Sequence, residues 1–256
     1  MAPILISVDA LGFAVRGWHT AIALATIICL LVGPSLIARL EGLPASAARR
    51  ALLWVGAAAF AGGRLHVVLA YWSAFAEHPI GIVEPWVGGL LAPGAFLGMA
   101  ICAPFICRAY RLPLGRFADA LVPTVGLGIA IARVGCVLQG CCFGKPCHAP
   151  WCVVLPNGAG PVHPLPVYYA LVALLVAGVA RTAYRWKRYD GEVALLALAF
   201  YAAVGAGFEM VLGAADNSVQ LGWIYVVMAT VVGLWSMVPL VAQRQTPIAA
   251  VVRGRS

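Results

Sequence analysis

Residues 117–138 read FADALVPTVGLGIAIARVGCVL, and directly after them comes Gln139-Gly140-Cys141-Cys142-Phe143-Gly144-Lys145-Pro146-Cys147. The apolar run matches the roughly 20 residues a helix needs to cross hydrocarbon and is far too long for a strand. It nevertheless carries a cation, Arg133, near its end. A charge at the edge of hydrocarbon costs about 2.5–3.5 kcal/mol even on lenient insertion scales, so such residues usually face a polar cavity and mark a site. The glycines and cysteines that follow at loop-like spacing suggest that this cavity is roofed by closely approaching backbone.

Six further apolar runs lie outward of this one, and the seven together cover approximately 18–38, 51–75, 86–107, 117–138, 164–183, 192–213 and 221–242. With 63% hydrophobic and 10% charged residues, the chain has too little polar material to coat a soluble globule. Backbone groups in lipid must be satisfied internally, so the expected fold is all-α: a multi-pass membrane protein of seven transmembrane helices. Residues 1–256 read as a single domain, because no repeat, low-complexity linker or soluble module interrupts the runs. Asp9 and the lack of a basic leading segment argue against a cleaved signal.

Thirteen of the seventeen Lys and Arg residues fall at alternate helix ends: Arg39, Arg49, Arg50, Arg108, Arg111, Arg116, Arg181, Arg185, Lys187, Arg188, Arg244, Arg253 and Arg255. That asymmetry sets them in the cytoplasm, with the N-terminus outside, the C-terminus inside and the loop 139–163 facing outward. The net charge of +8 is then topogenic arginine meeting anionic lipid, and no nucleic-acid partner is expected. Arg16, Arg64, Arg133 and Lys145 stand apart, all toward the outward half.

These four direct attention to a site. Gly62-Gly63-Arg64 sets an arginine fork beside backbone amides, a natural phosphate clamp, although small residues four apart also serve helix packing. Glu209 in the sixth run needs a partner, with Arg133 or Arg64 expected. His163 suits a base, a headgroup contact or an interfacial residue. Trp151, Pro156, Tyr168 and Tyr169 fit an aromatic belt as well as a site. Five of the eight cysteines, Cys136, Cys141, Cys142, Cys147 and Cys152, occupy seventeen residues beside His148. An outward loop favours one or two disulfides, yet five is odd, which leaves at least one thiol for other chemistry. The spacing is a weak match to zinc, and neither a metal nor another cofactor is expected.

Several segments resemble the prolipoprotein diacylglyceryl transferase family. Arg133-x-Gly135-x-x-x-x-Gly140-x-x-x-Gly144 keeps the spacing of that family's signature. Pro150-Trp151-x-Val153-x-Leu155-Pro156, His163-Pro164-x-x-x-Tyr168, Gly62-Gly63-Arg64-Leu65 with Tyr71, and Gly191 with Tyr201 and Glu209 resemble further elements in order. The resemblance implies a bacterial inner-membrane transferase that moves diacylglyceryl from phosphatidylglycerol to the thiol of a preprolipoprotein lipobox peptide. It assigns Arg133, Glu209 and His163 to catalysis. Arg64, Gly63, Gly135, Gly140, Gly144, Lys145 and Tyr168 are assigned to the lipid.

Four positions depart from the family pattern: Pro93 stands where it has a histidine, Cys136 an asparagine, Cys141 a glutamate and Gly205 an arginine. Lys145 is a candidate to replace the missing cation. Cysteine at two of these positions opens an alternative, in which Cys136 or Cys141, aided by Cys142, serves as a nucleophile or redox thiol in lipid chemistry. A second alternative is a non-enzymatic lipid- or metal-binding membrane protein.

Overall fold

The computed structural model describes residues 4–8, 13–84, 89–154 and 160–213. An antiparallel hairpin of β1 (Ile4–Val8) and β2 (Phe13–Arg16) leads directly into α1 (Gly17–Glu41). There follow α2 (Ala45–Ala70), a short α3 (Trp72–Glu77), α4 (Ala92–Ala109), α5 (Leu114–Gln139), α6 (Leu165–Ala183) and α7 (Glu192–Leu212). Two short strands, β3 (Val153–Val154) and β4 (Pro161–Val162), pair antiparallel between α5 and α6.

Among the described residues, six helices are long and apolar enough to cross a membrane. They correspond to the first six runs of the sequence, while the seventh, 221–242, lies outside the described residues. Only 11–39% of each span's apolar window is buried within the chain, so most of each helix is turned outward and suits lipid as its solvent. The second run overreaches in the sequence reading because α2 stops at Tyr71, whose backbone leaves helical geometry (φ −121°, ψ 37°). The third starts later than expected, at Ala92, with Pro93 in the first turn, where its missing N–H has no helical partner to lose.

The chain divides into two compact units, Leu30–Leu121 and Met1–Cys29 with Val122–Ser256. In the first, α2 and α4 meet through glycine. A Cβ on Gly62 would strike the Gly94 carbonyl, one on Gly94 the Gly62 carbonyl, and one on Gly98 the Ala58 carbonyl. The small residues here are therefore packing devices that let two backbones touch. Val67, Val68 and Phe75 are buried with Ile82 and Leu91 against them. In the same unit, Arg116 at the start of α5 pairs with Glu41 at the end of α1 and donates to its carbonyl at 2.6 Å.

The second unit is centred on α5, α6 and α7, whose buried residues Ala130, Leu165, Tyr169, Ala173 and Tyr201 form one cluster. Gly126 lets α5 approach α6, since a Cβ there would lie 2.8 Å from the Ala173 carbonyl. Gly135 does the same toward α1, where a Cβ would lie 2.7 Å from Ala21 Cβ. The segment after α5 is laced to the start of α6 and the end of α7. Gly144 N–H donates to His163 O (2.9 Å), His163 N–H to Lys145 O (3.1 Å), Cys147 N–H to Pro161 O (2.9 Å) and Lys145 N–H to Leu212 O (2.8 Å).

Candidate active site

Arg133 sits six residues before the C-terminal end of α5, and its guanidinium carbon lies 4.4 Å from the centre of the Tyr169 ring. A cation over an aromatic face is attracted by the ring quadrupole and keeps its N–H edges directed outward from the ring. Tyr169 is fully enclosed, at 2% exposure, and its hydroxyl donates to Glu209 Oε1 at 2.9 Å, with the Gly205 carbonyl a second acceptor at 3.2 Å. The arginine partner expected for Glu209 is thus replaced by a tyrosine that touches both. Tyr169, which in the sequence fits an aromatic belt as well as a site, lies in the core.

The stripe that builds this arrangement is Tyr201, Gly205 and Glu209 on α7, spaced by four and therefore on one helix face. That spacing was visible in the sequence as a signal for a shared face. Tyr201 is 8% exposed, and its hydroxyl lies beside the Arg133 guanidinium. Arg133 is close enough to act electrostatically on both the Tyr201 hydroxyl and the Cys136 thiol. Phe208 packs on Tyr169 (5.5 Å) and Tyr168 (5.8 Å), and Tyr168 Oη lies 3.3 Å from His163 Nδ1. A continuous set of contacts therefore runs from Arg133 through the aromatic residues to His163.

The turn after α5 explains how the cysteines gather. Gly140 has φ 72°, its N–H donates to Val137 O and the Cys141 N–H to Cys136 O, both at 3.1 Å. These two bonds are the Schellman helix stop, with glycine at the left-handed position it favours. The stop folds Cys141 back over Cys136. Cys142 follows with φ 64°, a conformation costing on the order of 1–3 kcal/mol for a residue with a side chain. The sulfurs of Cys136, Cys141 and Cys142 all lie within 4.8 Å of one another, with Cys136 buried and Cys142 exposed. Hydrogen bonds to Cys136 and Cys142, then burial, hold the Cys141 thiol well above the usual thiol range. Cys147 and Cys152 form a disulfide. The odd count of five in this segment thus resolves into one pair and one triad.

Arg64 and Gly63 belong to the other compact unit. Arg64, 7% exposed, donates from Nε to Ile82 O (3.0 Å), from Nη1 to Gly89 O (3.1 Å) and from Nη2 to Gly81 O, and it lies 5.1 Å from the Phe75 ring centre. The fork read in the sequence as a phosphate clamp is engaged by loop carbonyls. Gly63 accepts the Leu91 N–H at 3.3 Å and is likewise part of this loop's anchorage. Lys145 is exposed, and its Nζ donates to Val211 O at 3.3 Å, at the C-terminal end of α7. Gly144 is buried where a Cβ would meet the Leu212 carbonyl, so its role is close approach.

Helices of membrane length with an arginine, a glutamate and a histidine linked through the buried Tyr169 and the partly buried Phe208 and Tyr168 define a multi-pass membrane protein with a polar site at the ends of its spans. The chain matches the family model for prolipoprotein diacylglyceryl transferase over residues 3–242, and it belongs to that family. It is similar to the phosphatidylglycerol–prolipoprotein diacylglyceryl transferase of Cereibacter sphaeroides (strain ATCC 17029), at 29% identity over 256 aligned residues, 87% of this chain and 86% of that protein. The same-named protein of Trichormus variabilis is 28% identical over 182 residues, 66% of this chain, and the match spans 64% of that relative's length. That of Nitrosomonas europaea is 36% identical over 118 residues, 45% of this chain and 42% of the relative.

Proposed function

We propose that this protein transfers the diacylglyceryl group of phosphatidylglycerol to the cysteine thiol of a lipobox-bearing preprolipoprotein, in a bacterial inner membrane. Seven spans, an outward N-terminus and a cytoplasmic C-terminus belong to this reading. A bond forms between the peptide sulfur and the glyceryl carbon as the carbon–oxygen bond to phosphate breaks. Glycerol phosphate leaves with the electron pair, and the thiol proton passes to a base, for which His163 is the candidate.

Displacement at carbon depends above all on stabilising the leaving phosphate. Arg133 is the candidate for that task, because its planar fork suits a phosphate and its cation rests on a ring. Glu209 acts as a positioning residue through Tyr169, and Tyr168 orients His163. Gly135, Gly140 and Gly144 shape the backbone around the headgroup, with Lys145 at its edge. Arg64 and Gly63, in the other unit, anchor the backbone at Gly81, Ile82, Gly89 and Leu91. Supporting this reading most directly is the Arg133 guanidinium laid over Tyr169 while the same tyrosine holds Glu209.

The test is transfer from radiolabelled phosphatidylglycerol to a lipobox peptide. Arg133→Ala is expected to lower the rate roughly 10²–10³-fold, the usual cost of losing one donor to a developing anion. Arg133→Lys should recover little, since an ammonium lacks the fork. Wild-type transfer that survives Arg133→Ala unchanged would overturn the proposal.

A further inference from the structure

The cysteine triad has no task in the transfer just proposed. We infer that Cys136, Cys141 and Cys142 form a binding site for a soft, low-coordinate metal cation, with the cuprous ion as the biological representative. The fold constructs the site: the Schellman stop returns Cys141 to Cys136, and the left-handed Cys142 sets its sulfur 3.5 Å from that of Cys141. Metal–sulfur bonds of about 2.3 Å put three trigonal ligands about 4.0 Å apart, so a triad already within 4.8 Å closes on a cation with small side-chain rotations.

Ligand chemistry selects the class of ion. The group holds three sulfurs with no carboxylate or imidazole among them. Hard cations need oxygen ligands, zinc takes four donors, and soft thiolates favour monovalent copper. Three thiolates around one monovalent cation leave net negative charge beside a membrane, and Arg133 is close enough to Cys136 to offset it. Nearby, the Tyr201 hydroxyl, on a residue 8% exposed and beside Arg133, is within electrostatic reach of Cys136. The buried-to-exposed gradient from Cys136 to Cys142 leaves an entry path for the ion.

The experiment titrates the purified full-length protein, reduced and anaerobic in detergent, with cuprous ion held by bicinchoninate. One copper per chain should transfer from the chelator, and X-ray absorption should show three sulfur neighbours. Each of Cys136→Ser, Cys141→Ser and Cys142→Ser should weaken binding at least about 100-fold, beyond the usual effect of losing an outer-shell group. The Cys147→Ser/Cys152→Ser double variant and Cys102→Ser should still bind one copper. Retained binding in the triple-serine variant would overturn the inference, as would failure of the wild type to take copper from the chelator. A disulfide between two of the three in protein isolated from the membrane without reductant would also overturn it.

Discussion

Arg64 and Arg133 look alike in the sequence, each a lone cation beside glycine in an apolar run, yet their surroundings differ in kind. Arg64 is almost wholly buried, and its guanidinium donates to the carbonyls of Ile82, Gly89 and Gly81. Arg133 rests on the Tyr169 ring at the end of its helix. A guanidinium that satisfies backbone carbonyls organises a loop, whereas one stacked on an aromatic face is held by the ring's quadrupole. Carbonyls that lose such a donor must find another, so the first arginine matters to stability, while the second is the one the proposed transfer assigns to chemistry.

The strongest way to break that comparison is to delete both arginines in turn and follow folding. Arg64→Ala orphans several carbonyls at once, and hydrogen bonds from charged groups are worth about 1.5–3 kcal/mol each, so a loss of roughly 3 kcal/mol or more is expected. Thermal unfolding in detergent and proteolytic nicking between 78 and 91 would register it. Arg133→Ala removes a cation–ring contact, about 1 kcal/mol, together with the guanidinium's interactions with Cys136 and Tyr201, and is expected to lower the unfolding midpoint less than Arg64→Ala does. Equal losses in the two variants would erase the distinction.

Backbone crowding sharpens the picture one level down. Gly144→Ala would drive a Cβ into the Leu212 carbonyl and to 3.1 Å from His163 Cβ, separating the loop from α7 and from the start of α6. Overpacking of that kind costs about 1–3 kcal/mol. The readout is a lowered unfolding midpoint together with faster amide exchange at Gly144 and Lys145, whose N–H groups bond His163 and Leu212. An unshifted midpoint would mean that the loop is not fastened where these contacts put it.

What the sequence made legible follows from what lipid demands locally. Run length and apolar composition located the six described spans, because each span satisfies its own backbone and needs no knowledge of its neighbours. Partners across the fold were not legible. Arg64 takes its acceptors from residues seventeen to twenty-five positions away, and no periodicity marks a loop carbonyl as an acceptor. Glu209 was rightly expected to need a partner, but the tyrosine that meets it lies forty residues upstream on another helix. The cysteines were countable as an odd five, yet which two would pair was not legible, and the gathering of the other three depended on one left-handed glycine and one left-handed cysteine.

Tyr169→Phe probes the link that makes Arg133 different. The ring under the guanidinium remains, while Glu209 loses its hydroxyl donor and is left as a half-buried carboxylate. A buried acceptor deprived of its donor costs about 1–3 kcal/mol, so the unfolding midpoint should fall. The same variant should weaken transfer less than Arg133→Ala does, because the Arg133 guanidinium is still present. Restoring most of the lost stability with Glu209→Gln in the Tyr169→Phe background would assign the cost to the stranded charge.

The smallest effect belongs to Gly140→Ala, and it separates conformation from packing. A Cβ there meets nothing within 4 Å, so the substitution costs only what a left-handed backbone costs a residue with a side chain, about 1–2 kcal/mol. Gly140→Asn should cost less than Gly140→Ala, because asparagine tolerates that conformation better. If the stop unwinds in the alanine variant, α5 continues past Gln139 and Cys141 swings away from Cys136. Copper uptake by the triad would then fall even though all three thiols remain. That result would tie the gathering of the cysteines to the backbone turn, and unchanged uptake would show that the three sulfurs find one another without it.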